Sequence, residues 1–436
     1  MRVAMIGSGY VGLVSGACFA DFGHEVVCID RDAEKIKSLN RGEIPIYEPG
    51  LDTLVASNVK AGRLAFVNEG RNQIIAADVV FIAVGTPTDR RGSGYADLSY
   101  VFAVAEELGA ILDDRFKVIV IKSTVPVGTG DEVEAILQRT RPSNSFAVVS
   151  NPEFLREGAA IQDFKIPDRV IIGTEDERAR TVMAELYRPL KLNDFPIVFT
   201  GRRTSELIKY ASNSFLAMKI TFINEIADLC EQAGADVQAV ARGIGLDGRI
   251  GPKFLHPGPG FGGSCFPKDS LALVKTAEHF NTRMRLVETT LAINDARKLS
   301  MASRIRDAMD GQLAGKRLGI LGLTFKSNTD DMRDAPSLSI IPALQEGGAT
   351  IQAYDPAGMS EAEKLLPGVL FRDSPYGAAE GCDALVILTE WDQFRALDFP
   401  RLKTIMTSPT LIDLRNVYKP DEPRGQGFAY VSIGRG

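Results

Sequence analysis

The chain has 436 residues, 45% hydrophobic and 24% charged, with 50 Lys+Arg against 56 Asp+Glu, which is room for about three domains of ~150 residues and excludes disorder or a collagen-like repeat. The net charge of −6 is small and spread along the chain, without a Lys/Arg block, which argues against nucleic acid or an acidic membrane surface as partner. Five scattered cysteines (Cys18, Cys28, Cys230, Cys265, Cys382) and three distant histidines (His24, His256, His279) have neither disulfide-framework nor metal-ligand spacing, so acid–base chemistry falls to carboxylates, lysine or a thiol.

Met1 to Gly23 is apolar enough to resemble a signal peptide, but Arg2, interspersed glycines and Asp21 break the pattern. No uninterrupted apolar run reaches the ~18–20 residues of a membrane span. The expectation is a soluble, cytoplasmic protein with no membrane partner, and the odd cysteine count fits a reducing compartment.

An apolar strand over Arg2–Ile6 leads into Gly7-Ser8-Gly9-Tyr10-Val11-Gly12 and then a helix to about Gly23. A second strand, Glu25–Ile29, ends at Asp30, near the ~20-residue spacing at which a carboxylate meets a ribose hydroxyl. Glycines Gly7, Gly9 and Gly12 let backbone approach a pyrophosphate, and the helix N-terminus offers it free N–H groups. Asp30 favours NAD over NADP, because a carboxylate repels a 2′-phosphate; Arg31 and Lys35 soften that preference or are simply solvated charge. Further strands over Val79–Val84, Lys117–Lys122 and Ala147–Ser150 stop at polar or Pro-containing turns. In an open parallel sheet ligands bind at such carboxyl ends, which places Thr86, Thr124 and Glu153 on one cleft.

From about Thr204 the period turns helical, and Lys209 and Asn213, four apart, share a helix face. A second helical run covers about Leu286–Met309. Between them, Arg249 to Asp269 is rich in Pro and Gly yet carries Phe254, Phe261 and Phe266 as apolar anchors, so it is an ordered loop. A smaller α/β segment follows, with strands near Gly315–Leu321, Ala349–Tyr354, Ala384–Leu388 and Thr410–Leu414. It lacks Gly-x-Gly-x-x-Gly, and its strand ends carry Lys326 and Arg415, which suit nucleotide phosphates.

The sharpest local feature is Gly258-Pro-Gly-Phe-Gly262-Gly263-Ser264-Cys265-Phe266-Pro267-Lys268-Asp269. Cys265 stands where a helix begins, and the helix terminus and Lys268 both favour thiolate. Cys18, Cys28, Cys230 and Cys382 lie in apolar helix or strand and read as buried structural thiols.

Taken together, Gly7-x-Gly9-x-x-Gly12, Lys122-Ser-Thr-Val-Pro126, Asn151-Pro-Glu-Phe-Leu-Arg-Glu-Gly158, Pro167-Asp-Arg169, Lys209-x-x-x-Asn213, the cysteine block, Phe325-Lys326 and Arg333 occur in order. Over nearly the whole chain this resembles the UDP-glucose 6-dehydrogenase family of nucleotide-sugar dehydrogenases. The resemblance implies an α/β fold: two Rossmann-like doubly wound parallel-sheet domains joined by a central helical domain with a long connecting helix. The division is 1–200 for an NAD-binding domain, 201–312 for the helical domain with the cysteine loop and dimer interface, and 313–436 for a UDP-sugar-binding domain.

It also implies a four-electron oxidation of a sugar C6 alcohol to a carboxylate by two NAD⁺, through a Cys265 thiohemiacetal and thioester. By motif, Lys209 and Asn213 stabilise the oxyanion, Glu153 and Thr124 handle a water, and Asp269 binds that water or orients Lys209; Glu153, Lys209 or Asp269 is the first base. Val11, Asp30, Lys35, Thr86, Thr124, Glu157, Lys268 and Arg333 match NAD contacts. Glu153, Phe154, Leu155, Arg156 and Glu157 match nucleotide-sugar contacts, as do Lys209, Phe254, Leu255, His256, Pro257, Gly258, Gly262 and Lys326. Arg249 resembles an arginine that enters a neighbouring subunit's site, which implies a homodimer. Rivals are a GDP-mannose or other nucleotide-sugar 6-dehydrogenase, a two-electron β-hydroxyacid dehydrogenase using Lys209, and a non-catalytic nucleotide-sugar sensor. Ser264 before Cys265 disfavours the N-acetylmannosamine enzymes, which usually carry histidine there.

Overall fold

The computed structural model describes residues 1–88, 94–142 and 144–435. It divides into two compact units, Met1–Ser212 with Lys275–Phe280, and Asn213–Val274 with Asn281–Gly436.

The first unit carries an eight-stranded sheet: β1 Arg2–Ile6, β2 Glu25–Ile29, β3 Leu64–Val67, β4 Val79–Ile82, β5 Lys117–Ile121, β6 Phe146–Ser150, β7 Val170–Gly173 and β8 Ile197–Thr200. Their order is β3-β2-β1-β4-β5-β6-β7-β8, so the chain reverses direction across the sheet between β1 and β4. The central strands β4, β5 and β6 are buried apolar runs because both faces are covered. Val79 and Phe81 of β4 enter one core with Val118 and Val120 of β5, while Val80, Ile82, Ile119 and Ile121 enter the opposite one.

The two parallel-sheet domains expected from the resemblance are present, with one local departure in the first. Among the described residues β6 and β7 pair antiparallel, at Ser150↔Gly173. The segment between them holds the Asn151–Gly158 turn and a six-residue helix, Ala160–Lys165.

The second unit carries a parallel six-stranded sheet: β9 Arg317–Leu321, β10 Thr350–Tyr354, β11 Leu370–Phe371, β12 Ala384–Ile387, β13 Thr410–Asp413 and β14 Ala429–Ser432. Its order, β11-β10-β9-β12-β13-β14, repeats the winding of the first six strands of the other sheet. One face packs Leu318, Ile320 and Val386 against Ile223, Ala227, Met301 and Ile305 from the helices Arg202–Ala233 and Arg285–Asp307. Ile223 and Ala227, and Met301 and Ile305, are each four residues apart, so each helix turns one apolar pair onto the sheet. Among the described residues no helix is long and apolar enough to cross a membrane.

Candidate active site

In the first unit the glycine turn follows β1 directly. Gly7 has φ +100°, and its N–H donates to Ile29 O at 2.7 Å. A Cβ on Gly12 would stand 1.9 Å from Gly7 O, whereas one on Gly9 would meet nothing within 4 Å. Gly9 also caps the helix Tyr10–Asp21 with no side-chain hydrogen bond, leaving its first N–H groups available to an anion. Gly16, absent from the sequence reading, lets this helix close on β2: a Cβ there would lie 2.6 Å from Cys28 Sγ. Gly12→Ala is therefore expected to destabilise the protein by about 1–3 kcal/mol, read as a drop in melting temperature. A melting temperature within about 1 °C of wild type would show that the turn yields.

Asp30 Oδ2 accepts from Ser8 N (2.9 Å), Ser8 Oγ (2.8 Å) and Lys35 Nζ (3.0 Å). Burial pushes this carboxyl up, but the Asp32 and Ser8 N–H groups, the Ser8 hydroxyl and Lys35 together hold it below the usual carboxylate range. Lys35 is thus the ion-pair partner of Asp30, while Arg31 pairs with Glu107 at 2.9 Å. Val11 is half-buried on the helix. Thr86 Oγ1 donates to Thr124 O at 2.8 Å, so two of the expected dinucleotide contacts are tied to each other at adjacent strand ends.

The Asn151–Gly158 turn leaves β6. Glu153 is 6% exposed; its Oε1 accepts from Lys209 Nζ at 2.8 Å and its Oε2 from Leu155 N at 2.5 Å. Phe154 lies under Arg169, at 3.6 Å, with Lys209 Nζ at 5.4 Å from its ring. Arg156 is occupied by Asp163 at 2.6 Å, and Glu157 is half-buried.

Several residues that hold this turn were not legible as such. Glu48 accepts from Gly158 N (2.7 Å), Ala160 N (2.8 Å) and the Tyr10 hydroxyl. Its only sequence signal is an acid set between Pro45 and Pro49. Glu206, one turn before Lys209, accepts from Gly128 N (2.7 Å) and Gly130 N (2.8 Å), tying the Thr124 loop to the helix; burial pushes its carboxyl up to about 7.

In the second unit the helix Phe266–His279 begins immediately after Cys265, which places the thiol at a helix N-terminus. Cys265 is half-buried and its Sγ lies 3.3 Å from Ser264 Oγ; the other four thiols are buried. Its carbonyl accepts the Asp269 N–H at 2.8 Å. Asp269, 1% exposed, binds Lys268 Nζ at 2.6 Å and Asn213 Nδ2 at 2.7 Å. The expected water-binding or Lys209-orienting carboxylate therefore has an asparagine and a lysine as its side-chain partners here.

The glycine loop packs by backbone contact. A Cβ on Gly262 would lie 2.2 Å from Asp334 O, and one on Gly263 would lie 2.7 Å from the Phe325 ring. Gly263 N donates to Arg333 O at 2.8 Å, and the Arg333 side chain reaches Asp331 at 2.8 Å. Arg415 donates to Leu388 O and Phe325 O at 2.7 and 3.0 Å and pairs with Glu390 at 3.1 Å. A Cβ on Gly258 would stand 3.0 Å from its guanidinium, and Lys326 Nζ lies 5.2 Å from the Phe325 ring. Gly258, Lys326 and Arg415, far apart in sequence, are thereby gathered.

Phe254 (φ +65°) and Phe261 both pack on Phe266, with centroids 5.9 and 6.1 Å apart. Leu255 and Pro257 are buried, whereas His256 is exposed and Arg249 reaches out to Asp247 at 2.5 Å. Asn224 and Asn294, also unread in the sequence, bind Gly258 N and Phe261 N, each at 2.8 Å.

Family models for UDP-glucose/GDP-mannose dehydrogenases match three stretches: the NAD binding domain at residues 1–191, the central domain at 203–296 and the UDP binding domain at 319–420. The chain is 64% identical to a UDP-glucose 6-dehydrogenase of Rhizobium meliloti (strain 1021), covering 100% of both. It is 47% identical to the UDP-glucose 6-dehydrogenase TuaD of Bacillus subtilis (strain 168), covering 100% of this chain and 93% of that one. Among solved structures, a UDP-glucose dehydrogenase from the hyperthermophilic archaeon Pyrobaculum islandicum superposes with TM-score 0.89 at 36% identity, covering 100% of this chain and 96% of that one.

Proposed function

The chain belongs to the UDP-glucose/GDP-mannose dehydrogenase family, and from this we infer that it oxidises C6 of UDP-glucose from alcohol to carboxylate with NAD. UDP-glucose, two NAD⁺ and one water give UDP-glucuronate, two NADH and three protons. What carries this reading is Cys265 at the head of a helix, half-buried, in a chain whose full-length relatives are UDP-glucose 6-dehydrogenases.

The first unit fits the dinucleotide. Gly9 leaves open space where a side chain would stand, the helix N–H groups carry no side-chain cap, and Asp30 closes β2. Gly7, Gly9, Gly12, Val11, Asp30, Lys35, Thr86, Thr124 and Glu157 would hold NAD there; Lys268 and Arg333 match the family's NAD contacts by motif. When bound, NAD would supply the hydride acceptor for both oxidations of C6.

In the chemistry we propose, a base takes the alcohol proton as the first hydride departs, leaving an aldehyde. Cys265 Sγ, as thiolate, bonds to the aldehyde carbon; the C=O π pair passes to oxygen, which takes a proton from Lys209 and is held by the Asn213 donor. Loss of the second hydride and of the hydroxyl proton leaves a thioester. Water, deprotonated by Glu153 and held by Thr124, then attacks; the C–S bond breaks and the thiolate returns. Asp269 fixes the Asn213 amide and Lys268. Holding the aldehyde on sulfur keeps it from leaving between oxidations.

Nucleotide-sugar contacts are read as Glu153 to Glu157, Lys209, Phe254 to Gly258, Gly262, Lys326 and Arg415. We divide the chain functionally at 1–200, 201–312 and 313–436, a division supported by the limits of the three matched models. A cytoplasmic homodimer, with exposed Arg249 entering the partner's site, completes the reading. Counting NADH per UDP-glucose consumed tests it: two are expected, and one NADH with an accumulated aldehyde would leave only a two-electron enzyme.

A further inference from the structure

Lys122, just past β5, is 4% exposed, and among the described residues no carboxylate forms an ion pair with it. Its ammonium donates to Asn151 Oδ1 at 3.2 Å and to the Tyr187 hydroxyl at 3.3 Å. That hydroxyl donates to the same Asn151 oxygen at 2.6 Å, and Asn151 Nδ2 donates to Ile171 O at 2.7 Å. The Phe164 ring lies 5.9 Å from Nζ. Burying an ammonium among neutral partners is unfavourable, and a methionine would fill such a place without that cost. Asn151 opens the turn that delivers Glu153 two residues later, where the carboxylate meets Lys209 at 2.8 Å.

We propose that Lys122 is a positioning residue for the Glu153–Lys209 pair: through Asn151 it fixes the turn carrying Glu153, and its charge adds to that of Lys209 beside that carboxylate. The proposal rests on the reading of Glu153 as a base. Burial pushes the Glu153 carboxyl up, but the Lys209 charge and hydrogen bond, the Leu155 N–H and the Lys122 charge bring it below the usual range. Burial also pushes Lys122 down to about 8, with Glu153 opposing and Lys209 assisting. The titratable groups facing this cluster are Lys122, Glu153, Lys209 and Tyr187, whose hydroxyl burial pushes up. Two cations thus serve one carboxylate, and removing the remote one leaves the direct pair intact.

Lys122→Gln keeps a donor for Asn151 and Tyr187 and removes only the charge. At saturating substrates the acidic limb of kcat is expected to move up by a few tenths of a pH unit, and Lys122→Arg to move it back. Lys122→Met gives the same shift and serves alone if the glutamine variant is insoluble. An acidic limb coincident with wild type in either neutral variant overturns the proposal. Glu153→Gln, measured alongside, separates the two readings. Wild-type activity in it removes Glu153 as base and the proposal with it; an inactive Glu153→Gln beside an unmoved limb in the Lys122 variants sinks the role of Lys122 alone.

Discussion

Cys265→Ser is expected to lower NADH production by about 10³-fold or more while leaving the binding of NAD⁺ and UDP-glucose within a few-fold of wild type. The serine oxygen occupies nearly the same place, so packing at the head of the helix Phe266–His279 is preserved. What is lost is the accessible anion: a thiol ionises near pH 8.5 before any help, and the helix terminus helps further, whereas a hydroxyl stays protonated. Rapid-quench mass spectrometry of the wild type should find a sugar adduct on the Cys265 peptide and none in the variant. The other thiols do not obscure this measurement. Burial pushes Cys18 and Cys28 up to about 12 and Cys382 up to about 11, leaving them inert to reagents that require thiolate. Wild-type rates in the serine variant would remove sulfur from the mechanism.

Lys209→Met should be nearly as damaging to turnover and costlier to the fold. Glu153 and Lys209 are 6% and 3% exposed, and removing one partner of a buried pair costs about 3–5 kcal/mol because the other charge stays behind. The pH dependence carries the diagnosis. In wild type the Glu153 carboxyl titrates below its unfolded value, so its contribution is fully present above about pH 4 and fades as pH falls through the folded value. Without Lys209, burial prevails and the folded value rises above the unfolded one. Glu153 then favours the folded state only at low pH and loses that advantage as pH rises. The melting-temperature deficit of Lys209→Met should accordingly be widest near pH 8 and narrow toward pH 5. A deficit independent of pH would mean that the lysine contributes by packing rather than by charge.

How far this could be read from sequence followed from what periodicity encodes. β1 and β2 were placed with their observed limits because each is a short apolar run between a charged residue and a turn. β3 and β8 are largely apolar runs of only four residues each, too short for periodicity to separate a strand from buried helix. β7 is apolar but only four residues long. Cys265 was legible because a glycine-rich turn before a helix is a local pattern. Glu48, Glu206, Asn224 and Asn294 were not, since each acts by accepting backbone N–H groups at least thirty residues away. A residue whose partner is main chain leaves no complementary side chain in the sequence to betray it.

Two sheets wound alike place a carboxylate at the end of the second strand in each, Asp30 after β2 and Asp355 after β10. Asp355, though, is 1% exposed and fully engaged. Its Oδ2 accepts from Leu323 N (2.7 Å), Thr324 N and Thr324 Oγ1, and its Oδ1 from Ala357 N and Gly358 N. The first glycine of each turn is equally tight: a Cβ on Gly322 would lie 2.4 Å from Thr389 Cβ, and one on Gly7 2.6 Å from Ala83 O. Where the first turn has Gly9 with open space beside it, the second has Thr324, its N–H and hydroxyl both engaged by Asp355, so a shared winding yields two different ligand grammars. The repeated architecture therefore predicts one dinucleotide per chain, not two, and sequential use of a single site by successive NAD⁺ molecules.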